Sequence, residues 1–230
     1  MTMISYDEGH GCGNDRGANG FLNEEKVIRE YVPYTIAELR RYGHTCVDCT
    51  PSGNMTLGQS LAYRVNKSDA CKAELHICFH ANAFRTTNNA MGAEIEVASD
   101  KSAKYGQSVL NEIVKLGFKN RGIKRPSLYV TNHTNAVCIL IEPLFIDSSS
   151  DCKLFNAQKL GLAIAKGIIN IIGGKVPVVA PVVISKPVAV VTKGEIFRVI
   201  TGSFSDESNC DARIKELKDK GFDSFKEIIK

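Results

Sequence analysis

The chain has 230 residues, 43% hydrophobic and 23% charged, an ordinary globular composition with room for one medium domain and a small appendage. Its formal net charge of +4, without a long Lys/Arg block, permits an anionic partner and gives no reason to expect nucleic acid. No run approaches the roughly 18 apolar residues of a membrane span, and the first eight residues lack the basic and apolar regions of a signal peptide. The expectation is synthesis in the cytoplasm with no membrane partner.

Residues 2–7 read as a buried strand that runs into a glycine-rich turn, Gly9-His10-Gly11-Cys12-Gly13. Residues 21–41 have helical spacing behind Asn23, a good N-cap, with Glu24 and Glu25 in the first turn. A short strand follows at 44–48, then a helix over 56–70 with Leu57, Leu61 and Val65 on one face. Residues 73–79 read as a strand closing on His80, residues 92–98 as a strand, and 101–118 as a helix. Two more strands are expected at 127–130 and 137–141, the second closing on Glu142, and one long helix over 151–172 before Gly173-Gly174. Strands alternating with amphipathic helices predict an α/β fold, a twisted and mostly parallel sheet flanked by helices in the manner of phosphorylase- or hydrolase-like folds.

Beyond residue 174 the composition changes. Residues 175–194 set three prolines among valines and read as a stiff extended linker, with an edge strand as the alternative. Residues 195–230 read as a small βαβ module: a strand at 196–201, a helix from Ser205 or Asp206 to about Lys220, and a strand at 222–228. Such a unit is too small to bury a full core alone. The three segments are 1–174, 175–194 and 195–230.

The eight cysteines are expected to be free thiols, since Cys71, Cys78 and Cys138 sit in apolar segments. The Cys46-Val47-Asp48-Cys49 pair ends a strand and does not open a helix, which sets it apart from a redox motif.

Four residues stand where α/β enzymes place chemistry, at or near the ends of apolar strands. They are His10, Glu24, His80 and Glu142. Two imidazoles and a carboxylate can hold a catalytic zinc while leaving a position for water, and a further carboxylate can serve as base. Each also has a plainer reading within its own segment. His10 can be an incidental turn residue, Glu24 a first-turn carboxylate facing the helix dipole, and Glu142 a strand-end partner of Arg64 or Lys124. His76, four residues before His80, points to the same strand face and reads as a core or supporting histidine.

Taken in order, these segments resemble the zinc-dependent N-acetylmuramoyl-L-alanine amidases of the Amidase_3 type, found in phage endolysins and sporulation autolysins of Gram-positive bacteria. The resemblance covers about residues 2–172. It rests on Gly9-His10-Gly11, Gly17-Ala18-Asn19-Gly20, Asn23-Glu24, the Leu39–Val47 turn, Arg64 and Asn66, His80-Ala81-Asn82-Ala83, Gly92-Ala93-Glu94, Arg121-Gly122-Ile123-Lys124 and Ile139–Asp147. It implies Zn²⁺ on His10, Glu24 and His80, Glu142 as the catalytic carboxylate, and Asn82, Glu94 and Arg64 as groups that orient substrate or support ligands. Glu8 and Cys12 depart from the family's usual proline and glycine, and Cys12 places a thiol near the metal.

The implied reaction is hydrolysis of the amide between N-acetylmuramic acid and L-alanine in peptidoglycan, with action on the wall after release from the cell. Competing readings are a zinc carboxypeptidase or peptidase on wall peptides, and a non-catalytic wall-binding protein. The tail resembles the first half of a SPOR-type wall-binding domain, which suggests a homodimer in which two tails complete one module.

Overall fold

The computed structural model describes residues 1–176 and 207–219. The chain divides into two compact units, Met1–Pro181 and Val182–Lys230. The first is built on a six-stranded sheet of β1 (Met3–Glu8), β2 (Thr45–Asp48), β3 (Leu75–Phe79), β4 (Ala93–Val97), β5 (Asn120–Lys124) and β6 (Val137–Glu142), in the order β2-β1-β3-β6-β4-β5. All neighbours run parallel except β4 and β6, which are antiparallel and set Glu94 opposite Glu142.

Strand alternation divides the interior into two chemically different faces. Ile4, Tyr6, Leu75, Ile77, Phe79, Ile139 and Ile141 point to one side. There they meet α1 (Glu24–Arg41), α3 (Asp100–Val114) and α6 (Ala157–Ile172). Complete burial of side chains such as Phe79 and Ile139 stabilises the fold by about 1.5–3 kcal/mol each. The intervening residues Ser5, Asp7, His76, Cys78 and Cys138 point to the other side and are buried too. That side is covered by α2 (Leu57–Ala70) and the short α4 (Tyr129–His133), with a small apolar cluster around Val65, Val130 and Leu140. A buried face with so many polar groups requires internal hydrogen bonds, and they are present.

Helix α6 fits between α1 and α3 because it is smooth at two points. A Cβ at Gly161 would lie 2.5 Å from the Tyr31 carbonyl oxygen, and one at Gly167 would lie 2.5 Å from the Val109 Cα. Helix α2 starts on a capping box in which Thr56 and Gln59 satisfy each other's backbone groups.

Two expectations are corrected, and one strand is present where none was expected. Residues 127–130 do not form a strand: Tyr129–His133 is a helical turn, in which Thr131 hydrogen-bonds back to the Leu128 carbonyl and Tyr129 stacks on His133. The edge strand β5 has no apolar alternation to announce it, only Ile123 among polar residues. The helix expected over 151–172 is two, α5 (Ser149–Leu154) and α6, because Phe155 is extended and Asn156 caps the second through Lys159 N.

In the second unit, α7 (Glu207–Asp219) falls where a helix is expected. The flanking strands at 196–201 and 222–228, and the 175–194 linker beyond residue 176, lie outside the described residues. None of the helices in the described residues is long and apolar enough to cross a membrane.

Candidate metal centre at the strand ends

Three central strands converge on the site. The Gly9 amide just beyond β1 donates to Phe79 O, and the His80 amide just beyond β3 donates to Ile141 O, so His10, His80 and Glu142 leave the sheet side by side. This is the carboxyl edge where open α/β sheets bind ligands. Glu24 comes from the first turn of α1, whose N-cap Asn23 accepts from Lys26 N.

The ligand-type atoms of His10, Glu24 and His80 all lie within 4.8 Å of one another. Glu24 Oε1 is 3.2 Å from His10 Nε2 and 3.2 Å from His80 Nδ1, and it also accepts the Ala81 amide; Oε2 accepts the Ala18 amide. The two rings stand edge to face with centroids 4.8 Å apart. Burial opposes ionisation of Glu24, but hydrogen bonds from His10 and His80 prevail and hold its pKa well below the usual carboxylate range. Burial likewise disfavours charge on His10, yet its hydrogen bonds to Asp15 and Glu24 lift it to about 9. Two imidazole rings gathered on one carboxylate form a donor set that a metal ion can occupy.

The His10 backbone has φ +60°, a left-handed conformation uncommon outside glycine. Arg29 holds this turn, donating to the carbonyls of Gly9 and His10. Gly9 must be glycine for another reason: a Cβ there would sit 2.6 Å from the His80 ring.

Glu142 is the odd carboxylate. Its Oε2 is sealed from solvent and has no hydrogen-bond partner. Burial, reinforced by the negative charges of Glu24, Glu96 and Glu94, pushes its pKa well above the usual value. Neither Arg64 nor Lys124 pairs with it. Across the β4–β6 pairing, Glu94 is held by Asn82 Nδ2 at 2.8 Å and Arg121 Nε at 2.8 Å. Asn82 and Glu94 thus form a fixed polar wall next to Glu142, with Arg121 lying over the Phe145 ring.

Of the two roles expected of Arg64, its contacts match support of a ligand: it is 2% exposed and turns Nη1 and Nη2 on Asp7, Asp15 and the Glu8 carbonyl, away from solvent. Cys12 is buried and donates towards Gly53 O at 3.3 Å, outside the His10–Glu24–His80 group. All eight cysteines are free. A further group of ligand-type side chains, His76, Cys78 and Cys138, lies within the α2 side of the sheet. There His76 already uses both ring nitrogens, on Ser5 Oγ and Asp7 Oδ2. Sequence reasoning gave no role to Asp7, Asp15 or Arg121; a polar Asp7 within an apolar strand was the available signal for the first.

Residues 4–173 match the Amidase_3 family, N-acetylmuramoyl-L-alanine amidase. The chain is similar to an endolysin of Bacillus phage SPP1, 28% identical over 72% of this chain and 62% of the relative. It is also similar to the amidase CwlM of Bacillus licheniformis, 25% identical over 98% of this chain and 84% of that protein. The chain thus spans less than two thirds of the phage endolysin's length. Among solved structures, the amidase AmiC2 of Nostoc punctiforme superposes with a TM-score of 0.66 at 26% identity, covering 74% of this chain and 97% of that one. The catalytic domain of the CD27L endolysin matches in fold with a TM-score of 0.66 at 24% identity, covering 74% and 98%.

Proposed function

The chain belongs to the N-acetylmuramoyl-L-alanine amidase family, and from that premise we propose that it hydrolyses the amide joining N-acetylmuramic acid to L-alanine in peptidoglycan, using zinc held by His10, Glu24 and His80. The donor set fits: two imidazole nitrogens and one carboxylate leave a fourth position for water, the pattern of catalytic zinc sites. The observation that carries the reading is Glu142, a half-buried carboxylate whose Oε2 is sealed and unpartnered at the same strand edge as that donor set. A structural carboxylate in such a place would have a partner; a proton-transfer group needs a free lone pair.

Zinc, when bound, supplies Lewis acidity that polarises the scissile carbonyl and acidifies a water molecule. Glu24, once its charge is spent on a cation, repels Glu142 less, and the proton affinity of Glu142 falls towards that of a general base. Glu142 takes the proton of the attacking water and returns it to the leaving amine of L-alanine. Asn82 and Arg121 fix Glu94, keeping this wall rigid as charge develops. The tail is read as a wall-binding module that pairs with a second copy to complete a SPOR-like unit. The protein reaches the wall after release from the cytoplasm.

The test is zinc content together with turbidity loss on purified Gram-positive walls, with and without chelator. Stoichiometric zinc and chelator-sensitive lysis are expected. Glu142→Gln should keep its zinc and lose roughly 10²–10⁴ of the rate. Lysis at the wild-type rate by that variant would refute the assignment.

A further inference from the structure

Behind the proposed metal centre lies a continuous buried chain of polar side chains. His10 Nδ1 is 2.8 Å from Asp15 Oδ1. Asp15 Oδ2 accepts from Ser60 Oγ at 2.6 Å and from Arg64 Nη2 at 3.2 Å. Arg64 Nη1 reaches Asp7 Oδ1, and Asp7 Oδ2 lies 2.9 Å from His76 Nε2. His76 Nδ1 lies 2.7 Å from Ser5 Oγ, which contacts Ser68 Oγ at 2.7 Å. Apart from half-buried His10, every member is at most 5% exposed.

The architecture explains how the chain is assembled. Strand alternation turns Ser5, Asp7 and His76 to the same side, and α2 lies over them, bringing Ser60, Arg64 and Ser68 from one helix. Arg64 is the junction: a planar fork can hold two carboxylates at once, which a lysine ammonium on a flexible stem cannot do with fixed geometry. The two buried carboxylates would repel each other without that cation between them. His10, for its part, sits on a left-handed backbone in a glycine-rich turn, so the turn alone is a poor anchor for its ring.

We propose that Asp15 and Arg64 are positioning residues: Arg64 clamps Asp15, and Asp15 fixes the His10 ring with its Nδ1–H bound inward and Nε2 presented to the metal. The inference rests on the zinc reading above only for what Nε2 meets. It gives Arg64 a specific task on the ligand-supporting side, the setting of metal affinity through Asp15, exerted from beneath the sheet edge.

The test uses the full chain and two readouts. A competition titration of zinc against a chromophoric chelator gives affinity, and NMR of the metal-free protein detects a slowly exchanging His10 Nδ1 proton. Asp15→Ala and Arg64→Lys should each weaken zinc binding about 10–100-fold. The protected proton should be lost in Asp15→Ala and exchange faster in Arg64→Lys. Ser68→Ala, at the far end of the same network, controls for general loosening and should leave both readouts at wild-type values. Wild-type zinc affinity and a protected Nδ1 proton in folded Asp15→Ala would overturn the proposal. So would equal losses in Arg64→Lys and Ser68→Ala. If the wild type itself takes up no zinc, the functional reading fails, and the proton readout still decides whether the clamp exists.

Discussion

At the level of single residues, Glu142 and Gly9 are the most sensitive points of the site. The folded protein raises the proton affinity of Glu142, so between about pH 4.5 and its raised pKa the native state binds a proton that the unfolded chain does not. Stability from this group is therefore lost as pH rises through that window. Glu142→Gln should leave metal-free stability unchanged near pH 4 and raise it at pH 8, measured by denaturant unfolding in chelator. Gly9→Ala acts by sterics alone: its methyl would push the His80 ring from its place. Zinc affinity should drop by about 10-fold or more, with the loss read by competition titration.

The sequence exposed the polar ends of strands well. His10, His80 and Glu142 each close or follow an apolar run, and that pattern is local. It could not reveal what Asp15 and Arg64 do, because their contact joins residues 49 positions apart on a loop and a helix. A buried arginine looks like an exposed one until the helix bearing it is placed on the sheet.

At the scale of elements, the long periodic segments were legible and the marginal ones were not. Helix α1 follows from an apolar stripe behind an asparagine cap, while α4 defeats a propensity argument. Its β-branched and aromatic residues sit in a single helical turn, because the buried Val130 packs with Val65 and Leu140 there. The break between α5 and α6 turns on one asparagine used as a cap within an otherwise helical pattern. The close approach of α6 to α3 gives a direct check. Gly167→Ala would bring a methyl within 2.5 Å of backbone that cannot yield locally, so a loss of roughly 1–3 kcal/mol is expected in thermal or denaturant unfolding. Gly122→Ala, where nothing lies within 4 Å, changes no packing and tests only the cost of its positive φ.

At the scale of the whole molecule, the sheet gathers chemistry from widely separated segments to one edge and buries the supporting network beneath it. Of the second unit, the structure describes α7 alone. A chain ending at Pro181 is expected to keep zinc binding and hydrolysis of soluble wall fragments. It should adsorb less to insoluble wall, measured by pelleting. Undiminished adsorption would remove the wall-binding role assigned to the tail.

As proposed, this strand edge cuts the bond to L-alanine with Glu142 as the proton carrier. The most direct measurement is the identity of new amino termini released from purified peptidoglycan by the zinc-loaded protein and by its Glu142→Gln variant. New L-alanine amino groups, with no new sugar reducing ends, are expected from the wild type and almost none from the variant. New termini on any other residue, or equal release by both proteins, would contradict it.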